Sequence, residues 1–440
     1  METQSSTVAA TSTQEEDTPA RWAWVEPSVW SERMLAALDN GVKGGKWFSL
    51  IDKVCKKSNL EAAWQRVYAN RGGSGVDGVT VHEYQTRWQR EIECLHDLLT
   101  RDRYIPQPVR RVMIPKPGSR EKRPLGIPAV RDRVVQTALR HVMEPIFERE
   151  FAEHSYGFRP GRGCKDALRR VDSLLKAGLT WVVDADLKSY FDTIPHGWLM
   201  ARVEERIADG RVLSLLRGYL KQGVMDGMKE WQPEAGTPQG AVISPLLANL
   251  YLNPLDHLMA SKGWEMVRYA DDFVILCRSR EEAENALLTV RGWVTEAGLT
   301  LHPEKTRIVP ETEGFEFLGY RFEKGRRWPR RKSEAKLKDA VREETRRRNG
   351  HSLDEIITRL NPKLRGWYGY FKHGYKTVFD AYDGWIRRRL RAILNQREGR
   401  SRWAYTHADH RRWNKAFFQA QGLFSLAAAH VAECQSLCRR

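Results

Sequence analysis

The chain has 440 residues, with 73 Lys or Arg against 56 Asp or Glu, a formal charge of +17 and an isoelectric point near 9.6. It has no run of the ~18 apolar residues that a membrane span needs, its first residues include Glu2, Glu15, Glu16 and Asp17 rather than a basic and apolar leader, and its six cysteines are too scattered for a disulfide framework. These features exclude a membrane or disulfide-stapled secreted protein and predict a cytoplasmic chain of two or three units whose partner is a polyanion, not a lipid.

Residues 1–30 read as a disordered acidic tail. Residues 30–70 carry helical spacing (Met34, Leu35, Leu38, then Leu60, Ala63, Trp64, Val67), which Gly72-Gly73-Ser74-Gly75 breaks into a flexible loop. Val109 and Val112-Met113-Ile114 form a strand, Pro115-Lys116-Pro117-Gly118 a turn, and Pro124-Leu125-Gly126-Ile127-Pro128 a returning extended segment. The product is a basic β-hairpin carrying Arg110, Arg111, Lys116, Arg120, Lys122 and Arg123.

Arg131 to Phe147 is an amphipathic helix, and Trp181 to Asp186 is a strand that ends on acid. Helices fill roughly 197–222, and another runs from Pro245 to Leu258 after the Gly236-Thr237-Pro238-Gln239-Gly240 turn. Val267 to Cys277 is an apolar run interrupted by Arg268-Tyr269-Ala270-Asp271-Asp272, which folds most simply as a hairpin with the acids at its bend. Residues 281–297 are helix, Thr300 to Ile308 and Phe315 to Phe322 are strands, and the chain is helical from about 334. The composition shifts at Lys324–Lys332. Residues 321–400 hold 24 Lys or Arg against 10 Asp or Glu, interleaved with Trp328, Trp367, Tyr368, Tyr370, Phe371, Tyr375 and Trp385, which suits a polyanion that also offers flat bases.

If the strand ending in Asp186 neighbours the hairpin bearing Asp271 and Asp272, three hard oxygen ligands meet, a set suited to Mg²⁺ and phosphate substrates. Two such ions about 3.5–4 Å apart support in-line nucleotidyl transfer. The alternative is that Asp271-Asp272 only forms the turn.

The motifs together resemble the reverse transcriptases encoded by group II introns. Tyr269-Ala270-Asp271-Asp272 is similar to their signature, Asp186-Leu187-Lys188-Ser189-Tyr190-Phe191-Asp192 to their first metal-binding motif, and Gly236 to Gly240 with Ser244-Pro245-Leu246-Leu247-Ala248-Asn249 to the segment lining their nucleotide pocket. Ile114-Pro115-Lys116 with Arg123-Pro124-Leu125-Gly126-Ile127-Pro128 resembles their fingers hairpin, and Ser155-Tyr156-Gly157-Phe158-Arg159-Pro160 matches a further motif. Phe317-Leu318-Gly319 is similar to the closing strand of the palm, and Leu360 to Phe371 to the maturase or thumb domain.

The resemblance implies an α+β right-hand polymerase: fingers and an antiparallel-sheet palm over 31–325, a basic helical thumb (maturase domain) over 326–400, and a basic helical segment over 401–440 that is a DNA-binding remnant. It implies Asp186, Asp271 and Asp272 as catalytic ligands of two Mg²⁺ ions. Lys116 and Arg123 would hold the incoming triphosphate, Arg as a planar fork and Lys as a point charge. Phe191 would exclude a ribose 2′-hydroxyl, its alternative being a core position, and Gln239 would line the nucleotide pocket or stabilise its turn. Arg110, Arg111, Arg159, Lys363, Arg365, Trp367, Tyr368, Arg387 and Arg388 would grip RNA or the template–primer duplex, with a core role for the aromatic residues as the alternative. The implied partners are intron RNA, an RNA template with DNA primer, target DNA and deoxynucleoside triphosphates. The sequence leaves the oligomeric state open, a dimer included. The chain has no paired Cys and His clusters of an HNH endonuclease, so a primer from elsewhere is expected. Two alternatives are a splicing cofactor with a vestigial polymerase site and a host-adopted reverse transcriptase in defence or repair.

Overall fold

A computed structural model describes residues 21–115, 122–227, 229–346, 350–400 and 406–438. The hairpin tip with Lys116 and Arg120 lies outside the described residues. Strands β1 (Val109–Pro115) and β2 (Lys122–Ile127) form the expected antiparallel hairpin, with Arg111 opposite Gly126 and Ile114 opposite Arg123. A ribbon that the sequence reading passed over, β4 (Val224–Asp226) with β5 (Lys229–Trp231), widens it into a sheet of order β2-β1-β4-β5, where β1 and β4 run parallel.

The central sheet has the order β6-β7-β3-β8, from β3 (Trp181–Asp186), β6 (Glu265–Tyr269), β7 (Asp272–Cys277) and β8 (Arg307–Pro310), and every pairing in it is antiparallel. Its strands read as near-continuous apolar runs because both faces are covered. Val183, Ala185, Phe273 and Ile275 join the core built from helices Lys57–Ala69, Val130–Glu148, Ser244–Ser261 and Arg280–Glu296. Val182, Val267, Val274 and Leu276 face helix Cys164–Lys176 and a three-stranded sheet. That sheet is a meander of β9 (Phe315–Phe317), β10 (Tyr320–Glu323) and β11 (Arg326–Pro329). The thumb core gathers Leu337, Val341, Leu360, Leu364, Phe379, Ile386 and Leu390 from helices Arg331–Glu344, Leu353–Phe371 and Thr377–Arg397.

Several expectations need correction. Residues 21–30 are packed rather than disordered: Trp22, Val25, Val29 and Trp30 are buried, and the Trp30 indole donates to the His141 carbonyl at 2.8 Å. The glycine loop is held against its neighbours, since a Cβ on Gly75 would come within 2.5 Å of the Ala129 backbone, and Arg133 donates to the Gly73 carbonyl at 2.6 Å. The strand expected over 300–308 begins only at Arg307. Phe315 to Phe322 is two strands joined where Leu318 (φ 46) and Gly319 (φ 82) turn the chain. Lys324-Gly325 is the tip of the next hairpin, so the break before the thumb falls at Arg330, not at 325. The division at 400 cuts through one core, because Trp413, Phe418 and Leu426 bury among the thumb side chains and Asp383 accepts from the Leu426 and Ala427 amides that open the last helix.

Candidate active site

Register puts the carboxylates together. Asp186, the last residue of β3, lies directly opposite Asp272, the first of β7, and Tyr269 pairs with Asp272 across a two-residue turn made by Ala270 and Asp271. Directly opposed residues of an antiparallel pair have Cβ atoms about 4.5–5.5 Å apart, so Asp186 and Asp272 are immediate neighbours on one face of the sheet. Asp184 shares that face by the two-residue period of a strand, an acid the sequence reading did not single out.

The site is electrostatically loaded. Burial, then Asp184, Asp271 and Asp186, push the Asp272 carboxyl up to about 7, against a smaller opposing pull from Arg330. Asp271 is raised by burial and by Asp186, while a backbone hydrogen bond and the charges of Arg123 and Lys305 pull it down. Asp184 is raised by burial and partly relieved by Arg307, whose guanidinium lies 3.1 Å away. Lys305 forms an ion pair with Asp186.

Does this set fit Mg²⁺? The donors are hard carboxylate oxygens, of which Asp271 and Asp272 are raised by burial and then by their acidic neighbours, and a divalent cation would offset that clustered negative charge. Among the described residues no three His, Cys, Asp or Glu side chains form a ready-made metal cage. Mg²⁺ does not require one, since it commonly takes one or two carboxylates and completes its shell with phosphate and water. Asp186 and Asp271 are the residues that would hold it, with Asp272 beside them.

The nucleotide-binding candidates divide. Arg123 is exposed on β2, within electrostatic reach of both Asp271 and Asp192. Phe191 is half-buried five residues past Asp186, its ring set edge-on to Tyr190 at 5.5 Å. Its carbonyl accepts from the Thr237 amide at 2.6 Å. Gly236 has to be glycine there, because a Cβ would meet the Phe191 carbonyl at 2.7 Å with φ at +91°. The Gln239 carbonyl accepts from the Gly126 amide at 2.7 Å, tying the turn to the fingers hairpin, and the residue lines a cavity of about 230 Å³ with Arg111, Asp192 and Trp231. The main chain of Gln239 thus joins its turn to the hairpin, while the residue also borders that cavity.

The nucleic-acid candidates are sorted more sharply. Arg159 is buried and spent internally: it forks onto Glu148 at 2.8 to 3.1 Å and donates to the carbonyls of Ala152 and Ser155, so it has no surface for RNA. Tyr368 is thumb core, its hydroxyl donating to Glu433 at 3.1 Å. Trp367 packs 4.8 Å from Phe371 and 5.3 Å from Tyr382, yet lines a cavity of about 640 Å³ with Asp272, Leu318, Gly319 and Arg330. Lys363 is ion-paired with Glu343 and Glu344. Arg111 sits over Trp231 at 5.3 Å and 3.5 Å from Asp226. Arg110, Arg387 and Arg388 are half-buried, and Arg365 is exposed with its guanidinium over Phe424 at 4.7 Å.

One residue beneath the turn was missed altogether. Arg268 is fully buried on β6 and hydrogen-bonds Asp256, Asn249, Ser155 and the Ala270 carbonyl, linking three of the motifs singled out in the sequence. Nothing in local spacing marks an arginine inside an apolar strand for such a role.

Comparison with known proteins finds two family matches along the chain. Residues 114–322 match the reverse transcriptase (RNA-dependent DNA polymerase) family, and residues 334–413 match the group II intron maturase-specific domain. The chain is 34% identical to protein YkfC of Escherichia coli over 383 residues, covering 78% of this chain and 95% of that protein. It is 38% identical to the group II intron-encoded protein LtrA of Lactococcus lactis over 194 residues, covering 44% of this chain and only 32% of LtrA. Among solved structures it resembles telomerase from Candida albicans with a TM-score of 0.39 at 13% identity, over 72% of this chain and 64% of that one. With a polymerase match ending at 322 and a maturase match beginning at 334, the chain belongs to the group II intron-encoded reverse transcriptase and maturase family.

Proposed function

We propose that the chain is an RNA-directed DNA polymerase that binds group II intron RNA, assists its splicing and copies it into DNA. The observation that carries the reading is the register of Asp186 against Asp272, with Asp271 in the turn between them and Tyr269. A pure RNA-binding cofactor gains nothing from clustered carboxylates beside its polyanion, so the intact acidic set weighs against a vestigial site.

Two Mg²⁺ ions bound there would activate a primer 3′-hydroxyl and neutralise the leaving pyrophosphate. The chain's own residues set up the rest. Asp186 and Asp271 hold the charge that receives the cations, and Arg123 presents a planar fork to the triphosphate. The Phe191 ring, packed edge-on against Tyr190 with its backbone carbonyl held by the Thr237 amide, would exclude a ribose 2′-hydroxyl. The cavity between Asp272, Leu318, Arg330 and Trp367 joins the acidic site to the thumb, where a primer strand leaving the site would pass. Intron RNA, the template–primer duplex and target DNA are polyanions suited to the basic thumb, recognised chiefly through backbone and shape.

The splicing half of the reading is tested with an intron RNA that flanks the coding sequence. Wild type and Asp271→Ala should both bind it tightly and both accelerate its splicing, because RNA docking does not use the carboxylates. Failure of both to bind that RNA in preference to an unrelated structured RNA contradicts the maturase role and leaves a stand-alone reverse transcriptase.

A further inference from the structure

The turn that carries Asp271 is held in an unfavourable conformation. Ala270 has φ of 59°, a region that residues with a Cβ seldom occupy, and such geometry persists only where the surroundings over-determine it. Two contacts do so. Gly157 packs so closely on the turn that a Cβ there would lie 2.3 Å from the Ala270 nitrogen, and Arg268 donates from Nη1 to the Ala270 carbonyl at 2.8 Å.

Arg268 uses every donor it has. Its Nε donates to Asp256 Oδ1 at 2.7 Å and one Nη2 hydrogen to Asp256 Oδ2; the other goes to Ser155 Oγ at 2.7 Å, and Nη1 serves both Asn249 Oδ1 at 3.0 Å and Ala270. A guanidinium has five N–H groups in a fixed fork, so the side chain can take essentially one orientation here. Asn249 in turn donates to the Gly157 carbonyl at 2.6 Å. Two of the four partners of the guanidinium thus lead to the turn, one directly and one through Gly157. The backbone adds to this, with the Tyr156 amide donating to the Arg268 carbonyl at 2.8 Å and the Arg268 amide to the His154 carbonyl at 3.0 Å. A buried arginine serving only to neutralise Asp256 would need none of the turn contacts.

We propose that Arg268 is a positioning residue for nucleotidyl transfer: its bond to the Ala270 carbonyl, backed by Asn249 and Gly157, holds the strained turn that presents Asp271 beside Asp186. The proposal rests on the polymerase reading above. Arg268 touches neither substrate nor metal. It acts through the backbone of the residue preceding the ligand, as groups behind metal ligands commonly do.

The test compares wild type, Arg268→Lys, Asn249→Ala and Asp271→Ala. Arg268→Lys keeps a positive charge facing Asp256 but loses the fork, and Asn249→Ala cuts the route through Gly157 without unpairing the buried charge. Four quantities are read: thermal midpoint, affinity for an RNA–DNA primer–template by fluorescence anisotropy, single-turnover extension rate, and Mn²⁺ binding to the protein–duplex complex by electron paramagnetic resonance without nucleotide. Arg268→Lys is expected to bind the duplex within about two-fold of wild type while extension and Mn²⁺ affinity each fall roughly 10-fold or more, with Asn249→Ala showing the same pattern at smaller size. Wild-type Mn²⁺ affinity in both variants overturns the proposal, as does a loss of rate matched by an equal loss of duplex binding. If Arg268→Lys does not fold, Asn249→Ala decides by the same two criteria. A wild-type protein that binds Mn²⁺, lost in Asp271→Ala, yet extends no primer contradicts the polymerase reading instead, and the Mn²⁺ titration of the variants still judges Arg268.

Discussion

The acidic site is decided by a few residues whose roles follow from strand periodicity. Asp186 and the Asp271-Asp272 pair could be picked out of the sequence because a strand ending on acid and an apolar run broken by acids are both unusual, and the register then set them side by side. Asp184 was equally visible, two residues before Asp186, but its pairing with Arg307 was not, since β8 lies more than a hundred residues away. Arg159 was misread for the opposite reason: a motif lends an arginine significance without saying whether it is buried, and this one is consumed by Glu148 and two carbonyls. Phe191 carries a direct prediction. Phe191→Val should raise the ratio of ribonucleotide to deoxynucleotide incorporation at least about ten-fold, the scale of a pocket contact worth 1–3 kcal/mol; an unchanged ratio makes Phe191 a packing residue only.

Elements long enough to show a period were readable, and those fixed by distant partners were not. The helices Val130–Glu148 and Ser244–Ser261 lie close to where apolar spacing put them. Helix Trp88–Thr100 was passed over although Ile92, Leu95 and Leu99 make its buried stripe. The split of Phe315–Phe322 into β9 and β10 depends on positive φ at Leu318 and Gly319, for which leucine gives no warning. The packing of residues 21–30 was hidden because its partner, helix Val130–Glu148, is remote in sequence. Trp30→Ala should lower stability by about 3–5 kcal/mol, the usual scale for emptying a buried aromatic site, and an unfolding free energy from urea titration that falls by less than about a tenth of that would contradict the packing described.

The same contact makes one pH prediction. Burial pushes the His141 ring down to about 3, and Arg66 and Arg140 add smaller effects in the same direction. The unfolded chain takes up a proton near pH 6.5 that the folded chain refuses, so this group's contribution is complete above about 6.5 and is lost as pH falls toward 3. Between pH 7 and 5 the thermal midpoint of wild type should therefore drop more steeply than that of His141→Gln, which can still donate to Asn59. Equal slopes would show that His141 does not couple folding to pH.

At the scale of the whole molecule, an acidic site fixed in a doubly covered sheet lies next to a thumb whose surface is strongly basic. The composition shift made that division visible in the sequence, while the exact junction at Arg330 and the continuity of the thumb core through Leu426 depended on packing. Duplex affinity should fall linearly on a log–log plot against salt. Replacing Arg365 and Arg387 by Gln should lower that slope by about one for each residue that contacts phosphate, and an unchanged slope would remove both from the interface. The central claim is tested most directly by supplying the protein with an RNA template, an annealed DNA primer, Mg²⁺ and deoxynucleotides, and comparing wild type with Asp271→Ala. Extension by wild type, reduced at least about a thousand-fold in the variant while duplex binding is kept, is the result predicted; no extension by either protein, with both still binding structured RNA, would contradict it.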